Sequence, residues 1–218
     1  MFIGHFGVAF AAKRALPSVS LGTWFVACEL IDLIWPLFVL LGIETVAITP
    51  GITAFSPLDF TDYPWTHSLF MCAVWGFAMG AAYWLARRSL FAATLVGAVV
   101  LSHWFLDLIV HRPDLPLAPG SDVKVGFGLW NSVPGTLALE MAIFAVGLAL
   151  YLAGSGPTDR TGRYAFWTLV VLLLLGYASA SFGPPPPSVP TLAWVALAGG
   201  ALTAAFGYWI DRHRKVAL

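Results

Sequence analysis

Six stretches of this chain are long and apolar enough to cross a lipid bilayer, and that limits the fold before anything else does. They are Leu21–Leu41, Thr66–Ala86, Leu90–Val110, Leu129–Ala153, Tyr164–Phe182 and Thr191–Ile210. A hydrocarbon core of about 30 Å takes roughly 20 helical residues at about 1.5 Å each. Composition agrees: 59% of the 218 residues are hydrophobic and 10% charged, where a soluble domain carries about 25% charge. The expected fold is an all-α membrane protein, a single domain over residues 1–218 with six transmembrane helices in one bundle. Phe2–Leu16, ahead of the first span, is too short to cross and reads as a half-inserted or interfacial helix. "GPPPPSVP" (183–190) reads as a stiff turn.

Charge sets orientation. Lys13 and Arg14 precede the first span, Arg87 and Arg88 follow the second, Arg160 and Arg163 precede the fifth, and Arg212, Arg214 and Lys215 follow the sixth. With six spans all four groups fall on one side, expected to be the cytoplasm, together with the C-terminus. The other side holds Asp59, Asp62, Asp114 and Asp122, with Arg112 and Lys124 as its basic residues. Net charge is zero and no long basic block occurs, so membrane lipid and not nucleic acid is the expected partner. Cys28 and Cys72 fall inside apolar runs and read as packing residues. "MFIGHFGVAFAAKRALP" does not read as a signal peptide, because its charges follow the apolar part.

Glu29, Asp32, His103, Asp107 and Glu140 interrupt these apolar runs. A charged group at the bilayer centre costs about 2.5–3.5 kcal/mol on insertion scales, so several left alone would cost on the order of 10 kcal/mol. They must find partners inside the bundle. Asp32, His103 and Glu140 each fall roughly 12–17 Å below the outer surface, counted at about 1.5 Å per residue. Asp107 is one turn higher, and His67 and His111 lie near the mouth. His5, about two turns outward from Lys13, reaches the same level. In "LSHWFLDLIVHRPD" (101–114), His103 and Asp107 differ by about 40° around the helix and His111 by about 80°, so all three face one sector.

A histidine and a carboxylate one turn apart have ligand spacing for a divalent metal. Histidine and carboxylate without thiolate favour zinc, with manganese or iron as alternatives. A bound cation would also neutralise the buried acids. Plainer readings stand beside this one. His103 and Asp107 also suit a hydrogen-bonded core contact, His67 in "PWTHS" a helix start, His111 a solvated position, and Glu29 a hydrogen bond within the bundle. Arg112 is a candidate for holding a substrate anion over the mouth, or else pairs with Asp114. Trp130 and Asn131 are candidates for lining the mouth, although an interfacial tryptophan needs no further reason.

Taken in order, His5 in "MFIGH", Asp32 in "ELIDLIWP", His67 in "WTHS", His103 and Asp107 in "SHWFLD", and then His111 resemble the bacterial inner-membrane metal-dependent hydrolase family, the YdjM-like group. The resemblance covers residues 1–115. The order is also similar to that of the helical zinc-dependent phospholipase C fold, whose series closes with HxxxE. Here Thr136, not a histidine, stands four residues before Glu140, which favours one or two ions over three. The resemblance implies Asp32, His67, His103, Asp107 and His5 as metal ligands, with Glu140 or His111 as general base or acid or a further ligand. It implies a hydrolase in a bacterial cytoplasmic membrane, acting on a phosphoester or lipid-like substrate in the outer half of the bilayer. Two other classes stay open: an ion- or proton-coupled transporter relaying through Asp32, Asp107 and Glu140, and a non-catalytic scaffold with a structural metal. Against transport, no paired broken helices or repeated halves are visible. A mouth opened by His67 and His111 argues against a closed structural site.

Overall fold

The structure is a computed structural model and describes residues 1–216. Its helices are α1 (Ile3–Ala15), α2 (Leu21–Leu40), α3 (Pro64–His67), α4 (Leu69–Arg87), α5 (Leu90–Val110), α6 (Val133–Ala153), α7 (Arg160–Phe182) and α8 (Val189–His213). Six of them, α2 and α4 to α8, are long and apolar enough to cross a membrane. The protein is an all-α membrane bundle.

The long helices start where a short polar side chain can satisfy a backbone N–H left free in the first turn. Ser20, Ser68, Ser89, Ser132, Asp159 and Ser188 each accept from the amide three residues on. Four of these caps move the expected span starts, Asp159 and Ser188 to earlier residues and Ser68 and Ser132 to later ones. Ser68 is extended (φ −75°, ψ 148°) and caps α4, so Thr66 and His67 belong to the separate one-turn helix α3, which Pro64 opens. Ser132 likewise leaves Leu129–Asn131 as a 3-10 turn ahead of α6. Inside α2, Pro36 has no N–H to offer the Asp32 carbonyl one turn earlier.

At 13 residues α1 cannot cross a bilayer. It is enclosed by the bundle and does not lie on its surface. Ile3, His5, Phe6, Ala9 and Phe10 are buried, and the Phe10 ring lies 5.3–6.0 Å from those of Phe25, Phe144, Tyr151 and Phe166. The crossing with α6 is made by backbone: a Cβ on Gly147 would overlap the Gly7 carbonyl. Lipid gives helices no hydrophobic reason to associate, so close contact between small residues does much of that work.

Three short antiparallel strand pairs, absent from the sequence reading, close the ends. β1 (Thr45–Ile48) pairs with β2 (Leu58–Asp62), β3 (Leu115–Pro116) with β4 (Lys124–Val125), and β5 (Ser155–Pro157) with β6 (Arg214–Val216). The first two pairs sit at one end of the bundle. The third lies at the other end, where buried Lys13 pairs with Asp211 at 2.9 Å.

Candidate metal centre

Four elements bring the polar side chains to one place. α1 carries His5, α2 carries Asp32, α3 carries His67, and α5 with its C-cap carries His103, Asp107 and His111. Asp107 is the hub. Its Oδ1 is 3.3 Å from His5 Nε2 and 2.5 Å from the Met1 α-amino group. Its Oδ2 is 3.2 Å from His103 Nε2, 3.9 Å from His67 Nε2 and 3.8 Å from His111 Nε2. Asp32 Oδ1 completes the group, 3.2 Å from His67 Nε2 and 3.7 Å from His103 Nε2. The His5 and His103 rings stack in parallel, centroids 3.9 Å apart.

These donors fit a divalent cation. His5, His103 and Asp107 form one group whose ligand atoms all lie within 4.8 Å of one another, and Asp32, His67 and His103 form a second. Neighbouring donors around a tetrahedral ion bound at about 2.0–2.2 Å stand roughly 3.3–3.6 Å apart, and the histidine nitrogens here lie 3.2–3.9 Å from the Asp32 and Asp107 oxygens. The hydrogen bonds give a second, independent test. His103 Nδ1 faces the Cys28 carbonyl at 2.9 Å. A carbonyl oxygen only accepts, so in the neutral ring the proton is on Nδ1 and Nε2 holds a lone pair. That Nε2, like His5 Nε2, is buried with no hydrogen-bond partner among the described residues. Two buried nitrogens aimed at Asp107 without a hydrogen bond could act as donors to a cation, beside the Met1 ammonium already on Asp107 Oδ1.

His111 has the same arrangement outside the span. Its Nδ1 lies 3.1 Å from Asp114 Oδ1, and Tyr63 donates to the same oxygen at 3.2 Å. Burial pushes the His111 ring below the ordinary histidine value despite the Asp114 carboxylate, so it is neutral near pH 7. Burial would raise Asp114, but hydrogen bonds from His111 and Arg112 outweigh it and hold the carboxyl below its usual range.

The other sequence candidates sit further out. Buried Glu140 accepts from the backbone amides of Phe2 (2.8 Å) and Gly4 (3.3 Å) through Oε2, while its Oε1 has no partner among the described residues. It thereby serves the first turn of α1, which has no side-chain cap of its own. Arg112 is engaged by two carboxylates, Asp114 at 2.9 Å and Asp59, and so ties β2 to the exit of α5. Buried Trp130 packs its ring 4.2 Å from that of His111, and Asn131 is exposed on the 3-10 turn. Glu29 is buried beside Cys28, 3.9 Å from its sulfur.

The expected open mouth at His67 and His111 does not form. Phe60 and Tyr63 pack against both rings and Trp130 against that of His111, and both histidines are buried. Asp32 instead reaches the outside, its side chain 32% exposed against 3% or less for the other donors.

Glu44, Thr66, Tyr63 and Asp114 surround the donors, and sequence reasoning did not single them out as site residues. Buried Glu44 accepts from the amides of Trp65 (2.8 Å) and Thr66 (2.9 Å) and from the Thr66 hydroxyl (2.7 Å). Burial pushes its carboxyl above the ordinary value, and these hydrogen bonds oppose that shift. The one available cue was that Thr66 adjoins His67, since a lone glutamate in a loop 22 residues earlier carries no pattern.

The family described as YdjM inner membrane protein matches the chain over residues 64–184, more than half its length. The match takes in His67, His103, Asp107, His111 and Glu140 but begins after His5 and Asp32, so it lies further along the chain than the expected 1–115. No curated protein and no solved structure matches.

Proposed function

Given that this chain belongs to the YdjM inner membrane protein family and is a multi-pass inner-membrane protein, we propose that it is a metal-dependent hydrolase acting on a phosphoester or lipid-like substrate. The observation that carries the reading is the pair of buried, unpartnered Nε2 atoms of His5 and His103, directed at Asp107. Asp32, His67, His103 and Asp107 would hold the ion, with His5 at the second oxygen of Asp107. Zinc suits this oxygen and nitrogen set best, with manganese or iron as alternatives. Such an ion, when bound, supplies Lewis acidity toward a phosphoryl or carbonyl oxygen and lowers the pKa of a bound water to about 7.

The chain's own residues do the rest. The aromatic cover of Phe60, Tyr63 and Trp130 keeps bulk water from His67 and His111. Substrate approaches where Asp32 is exposed. Neutral His111, its Nδ1–H donating a hydrogen bond to Asp114, offers Nε2 as a proton acceptor beside Asp107. With the basic end of the bundle toward the cytoplasm, the centre would lie in the outer half of the membrane.

The test is metal analysis of detergent-purified protein, followed by hydrolysis assays on a panel of lipid phosphoesters reconstituted with it. Wild type should carry close to one or two ions per chain and release product, while His103→Ala should lose both. A protein that binds no divalent ion but moves protons across vesicles would replace this reading with a carboxylate relay.

A further inference from the structure

We propose that Glu44 is a positioning residue that sets, through the Thr66 hydroxyl, which nitrogen of His67 carries the proton, and so turns a lone pair toward the metal centre. The inference rests on the metal-centre reading for its purpose but not for its geometry. Thr66 Oγ1 lies between two groups, 2.7 Å from Glu44 Oε2 and 2.8 Å from His67 Nδ1. A hydroxyl has one proton to give, and an ionised carboxylate only accepts. The Thr66 proton therefore goes to Glu44, and Thr66 Oγ1 must accept from His67 Nδ1–H. His67 Nε2 is left with a lone pair pointing at Asp32 Oδ1, 3.2 Å away. Lone pair facing carboxylate is repulsive unless a cation lies between them.

The carboxylate itself is tightly held. Its Oε1 accepts from the amides of Trp65 and Thr66, two of the N–H groups left free at the start of α3. That grip makes a glutamine at position 44 informative. A glutamine must keep its oxygen on those two amides, because turning its NH2 onto them would set donor against donor. Its NH2 then faces Thr66 Oγ1 and donates to it. The hydroxyl proton, no longer taken by a carboxylate, is then released to point at His67 Nδ1, and the ring proton moves to Nε2, where it blocks the metal. Glu44→Gln thus keeps the helix start and reverses the relay.

The experiment uses full-length protein labelled with 15N-histidine in nanodiscs, stripped of metal, with the His67 signals assigned by their loss in His67→Asn. Wild type should show His67 protonated on Nδ1 and Glu44→Gln on Nε2. Zinc affinity, measured by competition with a chromophoric chelator, should fall about 10–100-fold in Glu44→Gln and Thr66→Val, the range found for outer partners of ligating histidines. Thr66→Ser keeps the hydroxyl and should restore affinity to within about threefold. The same His67 tautomer in wild type and Glu44→Gln overturns the proposal, as does zinc binding unchanged in both Glu44→Gln and Thr66→Val. If wild type itself takes up no zinc, the hydrolase reading fails, while the tautomer comparison still decides the role of Glu44.

Discussion

Replacing Gly147 by alanine tests whether the crossing of α1 and α6 builds the proposed metal centre. A Cβ at Gly147 would fall onto the Gly7 peptide, 2.6 Å from its carbonyl carbon and 2.8 Å from its Cα. Carbon atoms in good contact stand about 3.5–4.0 Å apart, so one helix must retreat by about 1 Å. The obstacle is backbone, and no rotamer change relieves it. Overpacking of this kind costs about 1–3 kcal/mol, and alanine returns about 1 kcal/mol through its helix propensity. Gly199→Ala on α8 is the matched control, because nothing lies within 4 Å of a Cβ there. Propensity cancels between the two variants, so Gly147→Ala should be less stable than Gly199→Ala by about 1–3 kcal/mol. His5 rides on α1, and its Nε2 is held 3.3 Å from Asp107, so zinc affinity should drop in Gly147→Ala and stay at the wild-type value in Gly199→Ala. The assays are reversible unfolding in mixed detergent micelles and zinc competition. Equal stability and equal zinc binding in the two variants would refute the idea that this crossing sets the position of His5.

Three further outcomes are expected. Chelation, or His103→Ala, should lower the melting temperature at neutral pH, since it leaves Asp32 and Asp107 close together with the Met1 ammonium, on Asp107 Oδ1, as their cationic partner; melting curves in detergent with and without chelator read this directly. The hydrogen bond from His213, with that from the Gly162 amide, holds exposed Asp159 below its ordinary value. Its stabilisation is therefore present above the unfolded carboxylate value of about 3.9 and lost as pH falls through the lower folded value, so the melting difference between wild type and Asp159→Asn should shrink to nothing in acid. A reporter fused after the C-terminal basic cluster should be active in the cytoplasm, and activity confined to the periplasm would invert the assigned orientation.

The span count and the meeting of His103, Asp107 and His111 are one-dimensional properties. Twenty apolar residues in a row must be a lipid-crossing helix, and a spacing of four must put side chains on one face. The caps Ser20 and Ser89 stand just ahead of the runs as read, whereas Ser68 and Ser132 lie inside theirs and set later starts. The cost of a carboxylate in lipid also follows from sequence alone, and it points to Asp32 and Asp107 as residues that need partners.

Tertiary structure decided which partners they found. That α1 is enclosed, with His5 stacked on His103, depends on Gly7 meeting Gly147, residues 140 positions apart with no local signal in common. Glu140 turned toward the first turn of α1, and Arg112 was taken up by Asp59 and Asp114, because in a dry interior the nearest unsatisfied donor or acceptor claims a polar group. The closure of the mouth by Phe60, Tyr63 and Trp130, and the hold of Glu44 on Thr66, come from loops whose placement rests on pairings such as β1 with β2. Local periodicity sets which face of a helix a residue occupies; which face lies opposite is settled only when the helices pack.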